Sequence, residues 1–122
     1  MHELAVAQAL VEQVDAVIDQ HQPSRATLIR VRIGPLAGVV PDLLATAFPL
    51  AAAGRRMEHA DLEFTHAPIR VHCQTCSAET EAPMNRLLCG ACGDWHTRIQ
   101  SGDELLLESV ELETAPALPL ET

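Results

Sequence analysis

The stretch CQTCSAETEAPMNRLLCGAC, residues 73–92, decides how the rest of the chain is divided. It holds two C-x2-C pairs, Cys73 with Cys76 and Cys89 with Cys92, separated by twelve residues. Two such pairs can supply four thiolates to one tetrahedral ion, because a two-residue spacer lets both sulfurs of a pair turn toward a single metal. Gly90 and Gly93 flank the second pair, where tight turns need φ freedom. A set of four thiolates is closed and keeps no position for water or substrate, so the expected role of the ion is to fold the module. Zn(II) is the expected ion, and the same pattern also suits an iron site of rubredoxin type. Two disulfides would need an oxidising compartment, and a thioredoxin-like redox pair would need one reactive C-x2-C at a helix start. His72 and His96 adjoin the cysteines and can exchange with a thiolate or support one. A histidine in such a place is more often simply solvated.

On the N-terminal side, Leu4, Ala7, Val11, Val14 and Ile18 recur at steps of three and four, with Leu10 and Val17 widening the stripe. This period predicts an amphipathic helix over about residues 3–20, stopped near Pro23. In ATLIRVRIG, residues 26–34, Ile29, Val31 and Ile33 alternate with Arg30 and Arg32, which predicts a strand with one buried face. Gly34, Pro35 and Gly38 make a loop, and Pro41 suits the first position of a second helix. That helix offers Leu43, Leu44, Ala47 and Phe48 and is expected to kink or end near Pro49. DLEFTHAPIRV, residues 61–71, reads as a second strand interrupted at Pro68. On the far side of the cysteines, SGDELLLESVELE, residues 101–113, returns to strand character, with a phase slip expected at Leu105–Leu107.

The expected fold class is therefore α+β: two helices packed on a three-stranded mixed sheet, with an inserted zinc-ribbon-like four-cysteine module. The last strand must rejoin the sheet after the insertion. This gives a discontinuous domain of residues 1–70 plus 101–114, a cysteine domain of residues 71–100, and a Pro-rich flexible tail over 115–122.

Composition narrows the function. Eight basic against seventeen acidic residues leave a formal charge of −9, and aromatics are limited to Phe48, Phe64 and Trp95. An acidic surface with few stacking rings argues against nucleic-acid binding, which needs a Lys/Arg footprint. No run is apolar enough for a membrane span, and no basic region precedes the first apolar stripe, so a cytoplasmic protein is expected. There is no nucleophile–base pair, phosphate-binding glycine loop or open catalytic zinc set, and Asp42, His59 and His66 are isolated. An enzyme is not expected. A zinc-ribbon module for protein interaction or nucleic-acid binding is the alternative that the cysteines alone permit.

The first three residues, Met1-His2-Glu3, carry a second pattern. The Met1 amine, the His2 amide and the His2 imidazole can chelate one metal in fused rings, and the Glu3 amide could add a fourth nitrogen. Nitrogen-rich planar coordination suits Ni(II) or Cu(II) more than zinc. Binding through deprotonated amides should weaken steeply with acid. On spacing alone the favoured reading is a polar residue beside a helix start, with Glu3 placed well against the helix dipole.

A chain that begins MHEL, continues through a helix, IGPLAGVVPDLLATAF and two C-x2-C pairs, and returns in SGDELLLESVELE closely resembles the HypA family of hydrogenase nickel incorporation proteins (HybF-like). The resemblance runs from Met1 to about Glu113. It implies a nickel metallochaperone acting with a HypB-type GTPase on the large subunit of [NiFe]-hydrogenase, and in some organisms toward urease. It implies that His2 is the essential nickel ligand, with Met1 and Glu3 in the nickel site. It further implies that Cys73, Cys76, Cys89 and Cys92 hold zinc, and that two helices lie on a three-stranded sheet beside a zinc module. Ala5, Val40 and Pro49 depart from the pattern. Where relatives place an acid approaching nickel, this chain has Val40, with Asp42 only nearby.

Overall fold

The structure, a computed structural model, describes residues 2–21 and 24–114. The expected break at Pro23, the tail over 115–122 and the Met1 donor lie outside the described residues. Among those described, the order is α1 (His2–Asp19), β1 (Ser24–Ile33), α2 (Pro41–Ala52), β2 (Asp61–His66), β3 (Arg70–Cys73), β4 (Glu79–Glu81), β5 (Thr97–Ser101) and β6 (Leu105–Thr114). The strands form two three-stranded sheets, ordered β2-β1-β6 and β4-β3-β5. The first is the expected sheet. The second is additional: its central strand β3 takes up Arg70 and Val71, the end of the expected second strand beyond Pro68, while β4 and β5 come from segments too short and polar to read as strands.

By compactness the chain divides in two. One unit draws on the described residues of Met1–Val31, Val39–Glu63 and Leu107–Thr122, the other on Arg32–Gly38 and Phe64–Leu106. In the first, α1 packs on α2. The buried side chains include Ala7, Leu10, Val11, Val14 and Ile18 of α1, Ala26, Ile29 and Val31 of β1, and Leu44, Phe48 and Ala52 of α2. Met57, just past α2, is fully buried too. Each large aliphatic chain so buried contributes roughly 1.5–3 kcal/mol. Two expected stripe residues are corrected: Leu4 and Leu43 are 43% and 53% exposed. Both sit in the first turn of their helices, where the period continues past the region that a neighbour covers.

α1 ends where Gln20 and His21 donate their amides to Val17 and Ile18, with the His21 Nδ1 3.0 Å from the Val17 carbonyl. α2 begins with Pro41 at its first helical position, as expected, and runs through Pro49 to Ala52. The helix thus continues through Pro49 and ends three residues beyond it. Pro49 and Ala45 are both exposed, so water can satisfy the Ala45 carbonyl that loses its donor. In β6, half-buried and exposed residues alternate regularly over 105–109, and the adjacent half-buried pair is Ser109 and Val110, not a pair within Leu105–Leu107. Three consecutive leucines look alike to a hydropathy pattern, yet Leu106 is 56% exposed.

In the second unit, β3 pairs antiparallel with β4 (Val71 opposite Thr80) and with β5 (Val71 opposite Ile99), with an irregularity between Arg70 and Val71. Gly34 and Gly102 touch there. A Cβ on Gly34 would lie 2.0 Å from the Gly102 carbonyl oxygen, and Leu36 donates its amide to that same oxygen at 2.7 Å. Only a residue without a side chain fits at Gly34.

Candidate metal centre

The two C-x2-C segments fold into one loop shape, made twice. In the first, the Cys73 amide donates to the Ala78 carbonyl and the Ser77 amide to the Cys73 carbonyl, at 2.9 and 3.0 Å. In the second, the Cys89 amide donates to Asp94 and the Gly93 amide to Cys89, both at 2.9 Å. The same offsets recur, and so does the conformation: Ser77 and Gly93 are both left-handed, at φ 66° and 79°. The leading sulfur of each loop accepts two amides. Cys73 Sγ receives Thr75 and Cys76, and Cys89 Sγ receives Ala91 and Cys92, all at 3.3–3.4 Å.

The four sulfurs converge within 4.8 Å of one another, with Cys73 and Cys92 at 3.6 Å and Cys76 and Cys89 also at 3.6 Å. A tetrahedron of bonds about 2.3 Å long places its sulfurs about 3.8 Å apart, so the set fits an ion of zinc's size. The electrostatics agree. The Cys92 amide, followed by that of Ala91, holds the Cys89 thiol down at about 6. The Asp94 amide draws Cys92 down, but the Cys73 sulfur, burial and the other two sulfurs outweigh it and push Cys92 up to about 12. Cys73 is likewise lowered, chiefly by the Cys76 amide. Cys76 is raised: the Ala78 amide lowers it, and the Cys89 sulfur and burial overcome that. Four sulfurs at this spacing cannot all be thiolates without a cation among them. Cys73 and Cys89 are buried, while Cys76 and Cys92 are exposed.

Asp94 ties the two loops together, and sequence reading passed over it. Its carboxylate accepts the Thr75 hydroxyl from the first loop and the His96 amide, and its Oδ1 lies 2.9 Å from His96 Nδ1. Thr75 foremost, and then His96, hold the Asp94 carboxyl well below the usual carboxylate range. His96 also stacks on Trp95, ring centroids 3.8 Å apart. His72 Nδ1 lies 3.9 Å from Glu79 Oε2 and makes no hydrogen bond of normal length. The second loop is fixed to the sheet by Gly90, whose amide donates to Thr80 Oγ1, and by Thr97, whose hydroxyl donates to the Leu87 carbonyl.

At the other end of the chain, α1 places His2 and Glu3 together. His2 is exposed, with its Nε2 3.7 Å from Glu3 Oε2, and Glu3 is the one buried charged residue among those described. The same Oε2 accepts the Val40 amide at 3.4 Å. Val40 is the N-cap of α2 and gives it no side-chain cap. Glu3 thus does from another helix what the third-position glutamate of a capping box does from its own. Asp42 and the Val40 side chain are exposed. The Glu3 contact with a backbone amide has no sequence signal, because any residue at position 40 except proline supplies it.

A closed four-sulfur cluster, in a chain whose other unit is built of two helices and a sheet, defines a small metal-handling protein. Residues 1–112 match the family described as "Hydrogenase/urease nickel incorporation, metallochaperone, hypA". The chain belongs to this HypA family, whose members are metallochaperones rather than enzymes. It is 42% identical over 114 residues to a hydrogenase maturation factor HypA of Nitrosospira multiformis, covering 93% of this chain and 99% of that one. A Streptomyces avermitilis protein of the same name is 41% identical over 115 residues, covering 93% and 88%. The fold is similar to the solution structure of the nickel metallochaperone HypA from Helicobacter pylori, with a TM-score of 0.70, 21% identity, and coverage of 94% of this chain and all of that one. A second HypA solution structure superposes with a TM-score of 0.73. Among the described residues, no helix is long and apolar enough to cross a membrane.

Proposed function

We propose that this chain carries Ni(II) at its amino end, held by His2 with Met1 and Glu3, and gives it up during maturation of [NiFe]-hydrogenase or urease. In this reading Zn(II) bound by Cys73, Cys76, Cys89 and Cys92 is structural, residues 71–100 act as the zinc domain, and residues 1–70 with 101–114 act as the nickel domain. The observation that carries the proposal is the exposed His2 imidazole beside the Glu3 carboxylate, at the start of a helix, in a member of a nickel-incorporation family. A carrier must release its cargo, and an exposed site on a chain end is easier for an acceptor to reach than a closed cage. The resemblance supports a HypB-type GTPase and the hydrogenase large subunit as partners, in the cytoplasm. The −9 charge opposes nucleic acid as a partner.

Glu3 keeps one oxygen on the Val40 amide, so its part is to fix the angle at which His2 leaves α1 as much as to face the metal. Calorimetric nickel titration of protein with a native amino terminus tests the reading. One equivalent of nickel is expected to bind, and His2→Ala, or an extension of a few residues before Met1, abolishes it. Elemental analysis is expected to give about one zinc per chain in all three proteins. Unchanged nickel affinity in His2→Ala overturns the nickel site, and iron in place of zinc overturns the zinc assignment.

A further inference from the structure

We infer that the four-cysteine centre is a hydroperoxide-sensitive site whose exposed sulfurs, Cys76 and Cys92, react first, and whose oxidised form carries disulfides Cys73–Cys92 and Cys76–Cys89, crossing the two motifs. The inference rests on the reading that the four sulfurs hold an ion. Its basis is the asymmetry of the centre. Each C-x2-C loop has one buried cysteine, its sulfur pinned by two of the loop's own amides, and one exposed cysteine. A metal-bound thiolate remains nucleophilic where solvent reaches it, and susceptibility to oxidation follows thiolate character and exposure. Cys76 and Cys92 have both, whereas Cys73 and Cys89 have only the first.

The pairing follows from distance. Each exposed sulfur has a buried sulfur of the other loop at 3.6 Å, Cys92 facing Cys73 and Cys76 facing Cys89. Closing either contact to a bond of about 2.05 Å moves each sulfur by less than about 1 Å. The chemistry is two-electron and balanced. The Cys92 thiolate attacks the hydroperoxide O–O bond, giving a sulfenic acid and an alkoxide or hydroxide. The Cys73 thiolate then displaces hydroxide from that sulfur and forms the disulfide. One hydroperoxide is reduced per disulfide, and the same steps join Cys76 to Cys89. Each disulfide removes two thiolates from the ion, so the ion leaves as the bonds form.

Holoprotein with its metal content measured first is treated with hydrogen peroxide in the presence of a chromogenic zinc chelator, and the disulfides are mapped by mass spectrometry without reduction. The expected result is zinc release in step with the Cys73–Cys92 and Cys76–Cys89 peptides. Disulfides within the motifs, Cys73–Cys76 and Cys89–Cys92, overturn the inference. In parallel, brief iodoacetamide treatment of unoxidised holoprotein is expected to label Cys76 and Cys92 at least several-fold faster than the other two, and equal labelling counts against the assigned order. This design needs no cysteine variant that might not fold. Finding iron at the outset sinks the zinc reading alone, and the disulfide map still decides the pairing, whereas finding no metal overturns both.

Discussion

Ser77 and Gly93 hold the same place in two copies of one loop, and only one of them is the residue that the place prefers. Both are left-handed, and a Cβ built on Gly93 meets nothing within 4 Å, so any penalty there is purely conformational. A side chain in this region costs roughly 1–2 kcal/mol. Gly93→Ser is therefore expected to destabilise the metal-loaded protein by about 0.5–1 kcal/mol and Ser77→Gly to stabilise it by about as much, the conformational term in each being partly offset by the freedom of glycine in the unfolded chain. Urea midpoints of the two variants check this, and a shift of the same sign in both would show that the loops are not equivalent. The duplication was only half legible in the sequence. C-x2-C and Gly93 were visible, but Ser77 hides a glycine-like backbone behind an ordinary side chain. Asp94 was invisible for a related reason: its partners, Thr75 and His96, are brought to it by the turn.

At the scale of elements, α1 is held to the turn after α2 by two carboxylates, Asp15 foremost. Asp15 takes Arg55 Nη2 on one oxygen and Arg56 Nη2 on the other, at 2.9 Å for the latter, and Arg56 also reaches Asp19 at 2.6 Å. Burial pushes the Asp15 carboxyl up, but the two guanidiniums overcome this and leave it below its ordinary value. A depressed value means that the stabilisation is full above the unfolded pKa of about 3.9 and is lost as pH falls through the folded value. Asp15→Asn is expected to cost about 1 kcal/mol at neutral pH, the sum of two partly exposed pairs. The gap from the parent should close below about pH 4 in a series of urea melts. A gap that stays constant with pH contradicts the role given to charge.

The same scale shows why helices were read better than strands. Ala7, Val11, Val14 and Ile18 repeat because one side of α1 faces solvent throughout, and that contrast is what a period records. Leu4 and Leu43 obey the period but outrun their neighbours, which no local pattern can show. β4 and β5, ETE and TRIQS, carry almost no apolar contrast, so they became legible as strands only through their pairing with β3.

In the whole molecule, both helices belong to one unit and the four cysteines to the other. Binding a structural ion is coupled to folding of the segment that supplies the ligands. Removing the metal with a strong chelator under reducing conditions is therefore expected to unfold the cysteine unit and leave most of the helical far-ultraviolet circular dichroism intact. Loss of the helical signal in parallel with the metal would show instead that the two units fold as one.

The chain has no tyrosine and a single tryptophan, and that indole is 71% exposed, stacked on the ring that Asp94 holds. Its ultraviolet emission is thus a dye already installed in the cysteine unit, while the helical unit is dark. Red-edge-excited fluorescence can follow the state of the four-sulfur loops without any label. A change in that emission on adding any ligand to the protein is a report from these loops.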